Sequence, residues 1–205
     1  MAALPPRVFL LSPARAGGER MGLLLSPRAG FALAWELQQK DAPLGELFQF
    51  ASGLYFRGKL AYARAFGRAP ARGSSALVIV PGRGLMDASE RISADELRAI
   101  GQVPVDLGDA RYREPLTRDA RLLAERLGEK GECVLLGSIA TGKYADLLLG
   151  ILGDRLLFPP SFVGRGDMSR GGLLLRCVRG GTELEYAPLR GATRHGPRPP
   201  RLSRY

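Results

Sequence analysis

Short, continuous apolar runs alternate along the chain with longer amphipathic segments. The runs predict buried strands at Arg7–Leu11, Ala76–Val80, Glu132–Leu136 and Arg155–Phe158. A final hairpin is predicted from Leu173–Val178 and Glu183–Ala187, turned at 179–181. Strands that alternate with helices indicate an α/β fold. We predict a mixed, mostly parallel sheet with helices on both faces and a C-terminal β-hairpin.

The segments between the strands carry helix signals. Ser26 is expected to cap a helix over 27–40, Ser93 and Glu96 to form a capping box, and Thr117 to cap a helix that ends at 127. Further helices are predicted over 43–52 and 54–66, with a mostly helical stretch over 138–152. The pattern predicts one α/β domain over residues 1–188. Residues 189–205 form a basic Pro/Arg-rich tail, expected to be disordered or docked on a partner.

The net charge of +10 is unevenly placed. The tail holds arginines and no acidic residue, at Arg190, Arg194, Arg198, Arg201 and Arg204. Such tails commonly contact polyanions, which predicts nucleic acid, DNA above all, as a partner. An alternative explanation stays open, because 26 arginines against 4 lysines is also typical of a GC-rich genome.

Several function classes are disfavoured by the composition. No apolar run has the length of a membrane span or a signal peptide, so no membrane partner is expected. Cys133 and Cys177 fall in predicted buried strands, which favours a reduced, cytoplasmic chain. His195 is the only histidine and lies in the tail, so neither a Ser-His-Asp triad nor a zinc site is expected. We expect no metal and no cofactor.

Polar loops follow three of the predicted strands, at Ser12–Arg15, Pro81–Gly84 and Gly137–Lys143. Ligands of open α/β sheets bind at the carboxyl ends of the strands. If the strands are parallel, Arg15, Arg83 and Lys143 form a cationic rim. The alternative is that these loops are ordinary strand-to-helix turns.

The loop Gly137–Lys143 also has the G-x-x-x-x-G-K spacing of a phosphate-binding loop. Tyr144 stands where that mechanism needs a Ser or Thr hydroxyl for magnesium, so a nucleotide triphosphatase is disfavoured. An anion held by backbone amides at a helix N-terminus remains open.

Residues 164–172 combine four glycines with Arg165 and Arg170. Glycines let a backbone approach a ligand closely, and guanidinium groups bind phosphate or carboxylate. Asp167 lies between the arginines, as either a general base or their structural partner; flanking arginines lower a carboxyl pKa, which favours the structural role. A flexible, solvated connection is the simpler explanation of this segment.

These motifs, read in order, resemble the YaaA peroxide-stress family and its relatives. Leu11–Arg15 is similar to that family's strand into Ser-Pro-Ala-Lys, with arginine in place of the lysine, and Arg165–Arg170 is similar to its Arg-Gly-x-Met-Ser-Arg segment. Its Ser-Gly-Leu-Tyr-Gly motif resembles either Ser52–Tyr55 or Pro81–Leu85. The resemblance implies a compact α/β fold, a positively charged cleft and DNA association linked to oxidative damage. Some relatives modify nucleobases, which implies a nucleobase or nucleotide ligand as a second possibility.

The leading hypothesis is therefore a cytoplasmic protein that binds nucleic acid through a cationic cleft and its tail. Tyr55 and Tyr62, beside Lys59 at helical spacing, are candidates for stacking on bases. The residues expected to bind anions or nucleic acid are Arg15, Lys59, Arg83, Lys143, Arg165, Arg170, Arg194, Arg198 and Arg201.

The alternative is an enzyme acting on a nucleobase or nucleotide, with Ser12, Tyr55, Asp167 or Ser169 near the reacting atom. A third hypothesis is an interaction subunit whose tail docks on an acidic protein.

Overall fold

The computed structural model describes residues 4–14, 17–200 and 202. The strands are β1 (Arg7–Leu11), β2 (Ala42–Pro43), β3 (Ala76–Val80), β4 (Gly84–Asp87), β5 (Arg91–Ile92), β6 (Glu132–Leu136), β7 (Leu156–Phe158) and β8 (Ala187–Pro188). The helices are α1 (Glu19–Leu25), α2 (Ala32–Lys40), α3 (Leu44–Ser52), α4 (Leu54–Phe66), α5 (Ala94–Gly101), α6 (Ala110–Leu127), α7 (Ala145–Leu152) and α8 (Asp167–Gly180). Short 3-10 turns lie at Gly153–Arg155 and Pro160–Phe162.

The main sheet has the strand order β4-β3-β1-β6-β7-β8. Its inner strands β3, β1, β6 and β7 are parallel, and β4 and β8 pair antiparallel at the two edges. Phe9 is aligned with Val134 of β6, and Leu11 with Leu136. The predicted α/β class and mostly parallel mixed sheet are therefore confirmed, with an antiparallel C-terminal strand pair, β7 and β8.

Helices cover both faces of the sheet, as predicted. Alternate residues of β1 point to opposite sides, because side chains along a strand alternate. Phe9 and Leu11 pack with the helices α1 to α5 and α8, whereas Val8 and Leu10 pack with α6 and α7. Because β1 lies between β3 and β6 in the sheet, its carboxyl end is next to that of β6.

The helix boundaries differ from the prediction in three places. One is the stretch 138–152, predicted as mostly helical, in which α7 begins only at Ala145. Residues 27–40 do not form one helix: Ser26 follows α1, and α2 begins only at Ala32. Helix α6 begins at Ala110 with Asp109 as its cap, so Thr117 lies inside it and its hydroxyl donates to the carbonyl of Arg113. The Ser93–Glu96 capping box is confirmed.

The predicted strand Leu173–Val178 is wrong, because this segment is the second half of α8. A short apolar run does not distinguish a strand from a buried helix. Within α8, Gly171, Leu174 and Val178 follow helical spacing toward the core. The antiparallel pair near the C-terminus instead joins β7 to β8, with α8 between them in sequence. Cys177 accordingly lies on a helix and is half-buried, while Cys133 is buried in β6.

Residues 189–200 run along the body of the protein. Leu189 is buried, and Arg190 forms an ion pair with Asp154 at 2.5 Å. Arg194 forms an ion pair with Asp146 in the first turn of α7. Two of the tail arginines thus pair with carboxylates of the same chain. Among the described residues, no helix is long and apolar enough to cross a membrane.

Candidate functional site

A cavity of about 300 Å³ lies at the carboxyl ends of the neighbouring parallel strands β1 and β6. We call it the Ser12–Lys59 cavity. The residues that line it are Ser12, Pro13, Ala14, Ala51, Ser52, Tyr55, Lys59, Ser138, Tyr144 and Asp167. They come from the loops after β1 and β6, from α3 and α4, and from the first turn of α8. This is the sheet edge at which the sequence predicts a ligand.

Lys59 has its amine in the protein interior. It is 1% exposed, and its Nζ donates hydrogen bonds to the carbonyl oxygen of Ser12 at 2.6 Å and to Ser12 Oγ at 2.8 Å. The rings of Tyr55 and Phe56 lie against the amine, with centroids 4.6 and 4.8 Å from Nζ. The amine is thus held by Ser12 on one side and by aromatic faces on the other.

This environment changes the acidity of the amine. Burial lowers the pKa of Lys59 to about 7, because the charged form loses its hydration. The carboxylate of Asp167 acts in the opposite direction and raises the pKa, and the guanidinium of Arg170 lowers it. Near neutral pH, therefore, a large fraction of Lys59 is uncharged. A neutral amine carries a lone pair that accepts protons or attacks electrophiles.

The Tyr144 hydroxyl approaches Ser12, and its interactions with the Ser12 side chain and the Ser138 backbone lower its pKa against the effect of burial. Burial raises the pKa of Tyr144, so the hydroxyl keeps its proton at neutral pH. Gly137 makes this approach sterically feasible. A Cβ there would lie 2.8 Å from both Tyr144 Oη and Ser12 Cβ. The serine hydroxyl is therefore bonded to an amine and lies near a phenol.

The crossing of α4 and α8 brings Asp167 to this site. A Cβ on Gly58 would lie 2.8 Å from the carbonyl oxygen of Gly171, and one on Gly171 would lie 2.7 Å from that of Leu54. The two helices therefore approach through glycine, with backbone against backbone. The contact places the first turn of α8, with Asp167 and Arg170, beside α4.

Arg170 acts as an anchor in this arrangement. Its side chain is 11% exposed, donates from Nε to the carbonyl of Phe162, and lies 3.4 Å from the Asp167 carboxylate. The predicted structural pairing of Asp167 with an arginine is thus present. Tyr55 is buried nearby, and its hydroxyl has no hydrogen-bond partner among the described residues. Burial is the main reason that the pKa of Tyr55 is raised.

Four of the residues singled out from the sequence meet in the cavity: Ser12, Tyr55, Lys59 and Asp167. Lys59 was expected to contact nucleic acid, but a fully buried amine is out of reach of a phosphate backbone. Tyr62 is fully buried in the core, with its hydroxyl 2.6 Å from that of Tyr186, so its predicted base stacking is wrong.

The predicted arginines do not converge on one cleft. Arg83 pairs with Glu96 at 2.8 Å, at the hairpin turn between β3 and β4, and Lys143 is exposed in the loop before α7. Neither lines the Ser12–Lys59 cavity. Arg15 and Arg201 lie outside the described residues.

A second cavity of about 360 Å³ brings together Arg165, Ser169 and Arg198, along with Arg176. We call it the arginine groove; it lies between α8 and residues 198–200 and 202. Arg165 is held in place by hydrogen bonds to the carbonyl of Ser161 and to Ser169 Oγ. Ser169, a candidate catalytic residue, therefore lies in this groove and not beside Lys59.

Two of the four glycines of 164–172, Gly164 and Gly171, have structural roles, while the predicted approach of this backbone to a ligand stays a prediction. Gly166 precedes α8, and Gly171 forms the contact with α4. Gly164 adopts a positive φ of 73°, and a Cβ there would lie 2.1 Å from the carbonyl oxygen of Pro197. The segment is thus an ordered turn followed by a helix.

The loop Gly137–Lys143 is poorly suited to hold a phosphate. The carboxylate of Asp146 lies against Gly142: a Cβ on Gly142 would be 2.2 Å from Asp146 Oδ2. The same carboxylate forms an ion pair with Arg194. A negative group at this position repels an anion. Within the described ranges, no group of three or more His, Cys, Asp or Glu side chains is arranged to hold a metal ion.

Two parts of the site were not predicted from the sequence: the hydroxyl of Tyr144 and the burial of Lys59. The second had a signal. Tyr55, Phe56, Tyr62 and Ala63 lie three or four residues from Lys59, so the lysine sits on an apolar helix face. No sequence signal indicates the position of the Tyr144 hydroxyl, because Ser12, which it approaches, is remote in sequence.

No protein-family model, no curated protein and no solved structure matches this chain. The resemblance to the YaaA family thus stays a prediction, and functional inference depends on the site itself.

Proposed function

We propose that this protein is an enzyme that acts on a small polar molecule of the nucleobase or nucleotide class in the Ser12–Lys59 cavity. The observation that carries the proposal is the placement of Lys59 Nζ, fully buried and 2.8 Å from Ser12 Oγ at the carboxyl end of a central parallel strand. A strongly perturbed lysine in a cavity is typical of a catalytic site.

Lys59 is suited to general acid–base chemistry. The most effective catalytic base has a pKa near the working pH, and burial brings the pKa of Lys59 to about 7. A purely structural lysine would gain more from a full ion pair or from a solvated end. Lys59 has neither, since its two hydrogen bonds go to the uncharged oxygens of Ser12.

The walls of the cavity support a small, planar, polar ligand. Ser52 and Ser138 supply hydroxyls, and Tyr55 and Tyr144 supply aromatic surface. The Asp167 carboxylate is 70% exposed and can accept hydrogen bonds from ring N–H groups. A volume near 300 Å³ admits a base or nucleoside and excludes a duplex. The sequence resemblance points to the same ligand class.

Calorimetric titration with purine and pyrimidine bases, nucleosides and 5′-mononucleotides tests the proposal, with conversion followed by mass spectrometry. We expect saturable binding of at least one compound and its chemical conversion. Lys59→Met is expected to lower turnover by about 100-fold or more, as for loss of a general base. Asp167→Asn is expected to weaken binding by roughly tenfold, as for loss of a charge-assisted hydrogen bond.

Lys130→Met is the matched control, because Lys130 is exposed after α6 and remote from the cavity in the fold. It is expected to behave like the wild-type protein. Absence of binding by every compound, or equal turnover in Lys59→Met and Lys130→Met, would contradict the proposal.

Nucleic-acid binding is the second candidate function, and the arginine groove is the observation that favours it. Arg165, Arg176 and Arg198 meet there, in a chain of net charge +10. Guanidinium groups in a groove bind phosphates, and that binding weakens with salt.

Fluorescence anisotropy with single- and double-stranded DNA over a salt series tests this second function. Arg165→Ala with Arg198→Ala should reduce the salt slope by about two, roughly one for each lost phosphate contact. Arg118→Ala is the control, since Arg118 is exposed on α6 and paired with Asp119. An unchanged slope in the double variant would exclude the groove as the binding surface.

A further inference from the structure

The Ser12 hydroxyl has the partners of an activated nucleophile. Its Oγ lies 2.8 Å from Lys59 Nζ, and the Tyr144 hydroxyl lies on the same side of Gly137 and interacts with the Ser12 side chain. A nucleophilic serine needs a neighbouring base within hydrogen-bond reach and a further group that orients the pair. Ser–Lys pairs are one known form of this arrangement.

The position of Ser12 also suits attack on a bound ligand. Ser12 follows β1 directly, and its backbone N–H donates to the carbonyl of Leu136, which fixes it to the end of β6. The residue lines the cavity, and its own carbonyl holds Lys59 at 2.6 Å. The serine thus orients the base that acts on it.

We propose that Ser12 is the nucleophile of an acyl-transfer reaction, with Lys59 as its general base and Tyr144 as a positioning residue. The inference rests on the proposed function, since both place the chemistry at Lys59, and it adds the reaction type. The substrate class is a cyclic amide, the group that a nucleobase ring presents to an attacking hydroxyl.

The reaction balances without a further reagent except water. Lys59 Nζ takes the proton of Ser12 Oγ as the Oγ–C bond forms at the substrate carbonyl. The bond from that carbon to the leaving group breaks, and the leaving group takes the proton from Lys59. Water then hydrolyses the ester on Ser12, again with Lys59 accepting and returning one proton.

The surroundings set the pH at which this pair works. The titratable and charged groups that face Lys59 are Tyr55 on its own helix, Asp167 and Arg170 on α8, and Tyr144 before α7. Burial raises the pKa of Tyr55 and of Tyr144, so both stay neutral near pH 7. Nucleophilic reactivity is therefore expected to rise with pH as Lys59 loses its proton, with a midpoint near 7.

Covalent labelling of the full chain with diisopropyl fluorophosphate tests the inference. The serine oxygen forms a bond to phosphorus and fluoride leaves, so peptide mass spectrometry locates the adduct. We expect one adduct on Ser12, formed faster as pH rises through 7. No adduct should form in Ser12→Ala, and labelling should be about 100-fold slower in Lys59→Met. Lys130→Met should react like the wild-type protein.

Tyr144→Phe separates positioning from a purely structural role. It keeps the ring and removes the hydroxyl, so the labelling rate should fall while the melting temperature changes little. Circular dichroism is the control that tests whether each variant is folded.

Absence of an adduct in the wild-type protein, an adduct on another residue, or equal rates in wild type and Lys59→Met would overturn the inference. Nucleobase turnover that survives in Ser12→Ala would also overturn it, while leaving the proposed function intact.

Discussion

The Ser12–Lys59 cavity and the arginine groove both contain cationic side chains, yet their physical settings differ. Lys59 is 1% exposed and bonded to uncharged oxygens, so desolvation dominates its behaviour and lowers its pKa to about 7. Arg165 is half-buried and Arg198 is exposed. The guanidinium group stays charged at any accessible pH. The cavity is thus suited to proton transfer, and the groove to binding anions.

The cavity depends on how two helices pack, whereas the groove depends on charge. The cavity is lined by residues of α4 and α8, whose backbones meet without side chains at Gly58 and Gly171. The groove needs only arginines before and on α8 and at position 198. Substitutions in the first region should therefore alter stability and pH dependence, whereas those in the second should alter salt dependence.

Gly171→Ala is expected to have the largest effect on stability. The new Cβ would lie 2.7 Å from the carbonyl oxygen of Leu54 and 2.8 Å from the Cα of Tyr55, both of which are backbone atoms that cannot rotate away. Separation of α4 from α8 should lower the free energy of unfolding by about 3 kcal/mol, at the upper end for an overpacked core. Urea denaturation measures the loss.

Gly172→Ala is its matched control, one residue further along the same helix. A Cβ there meets nothing closer than the Leu202 side chain at 3.7 Å. Alanine favours a helix interior over glycine by about 1 kcal/mol, so this variant should be slightly more stable than the wild-type protein. Equal losses in the two variants would mean that the crossing of α4 and α8 is not backbone against backbone.

Lys59→Met is expected to change how stability depends on pH. Unfolded Lys59 keeps its proton to pH 10 and above, whereas the folded protein releases it near pH 7. The unfolded state therefore binds more protons between these values, and stability rises with pH across this window. From pH 7 to 9, the wild-type free energy of unfolding should rise by roughly 2 kcal/mol relative to Lys59→Met.

Urea denaturation of both proteins at several pH values measures this difference. Groups that titrate in the same way in both proteins contribute equally and cancel from the difference. Lys130→Met should follow the wild-type curve, since Lys130 is exposed. Parallel curves for wild type and Lys59→Met would contradict the lowered pKa and would remove the main argument for a catalytic lysine.

The two regions also differ in how much of them the sequence predicts. The sheet follows from the apolar runs at Arg7–Leu11, Ala76–Val80 and Glu132–Leu136, because buried parallel strands are continuously apolar. The end of β1 at Ser12 could therefore be assigned as part of a ligand site. Helix α8 could not be distinguished from a strand, since its apolar run is short and the partner that gives Gly171 its role, α4, is far away in sequence.

The lowered pKa of Lys59 was harder to predict than the apolar helix face on which the residue lies. Its helix face was evident from Tyr55, Phe56 and Ala63 at helical spacing, but burial of the amine depends on the docking of α8. The arginine groove could be predicted only as an excess of charge. Arg165 and Arg198 meet only because residues 189–200 run back over the body of the protein, a path that the sequence does not indicate.

Arg165→Ala, in the arginine groove, is expected to have the smallest effect on stability of these variants. Arg165 donates to the carbonyls of Ser161 and Pro200 and to Ser169 Oγ, and the last two contacts are long, at 3.3 and 3.2 Å. Partly exposed contacts of this kind contribute about 1 kcal/mol or less in total. A guanidinium group is charged throughout this range, so the loss should be constant from pH 7 to 9. Urea denaturation beside Lys59→Met measures both effects under one protocol. A pH-dependent loss in Arg165→Ala would show that the groove and the cavity are electrostatically coupled through the first turn of α8.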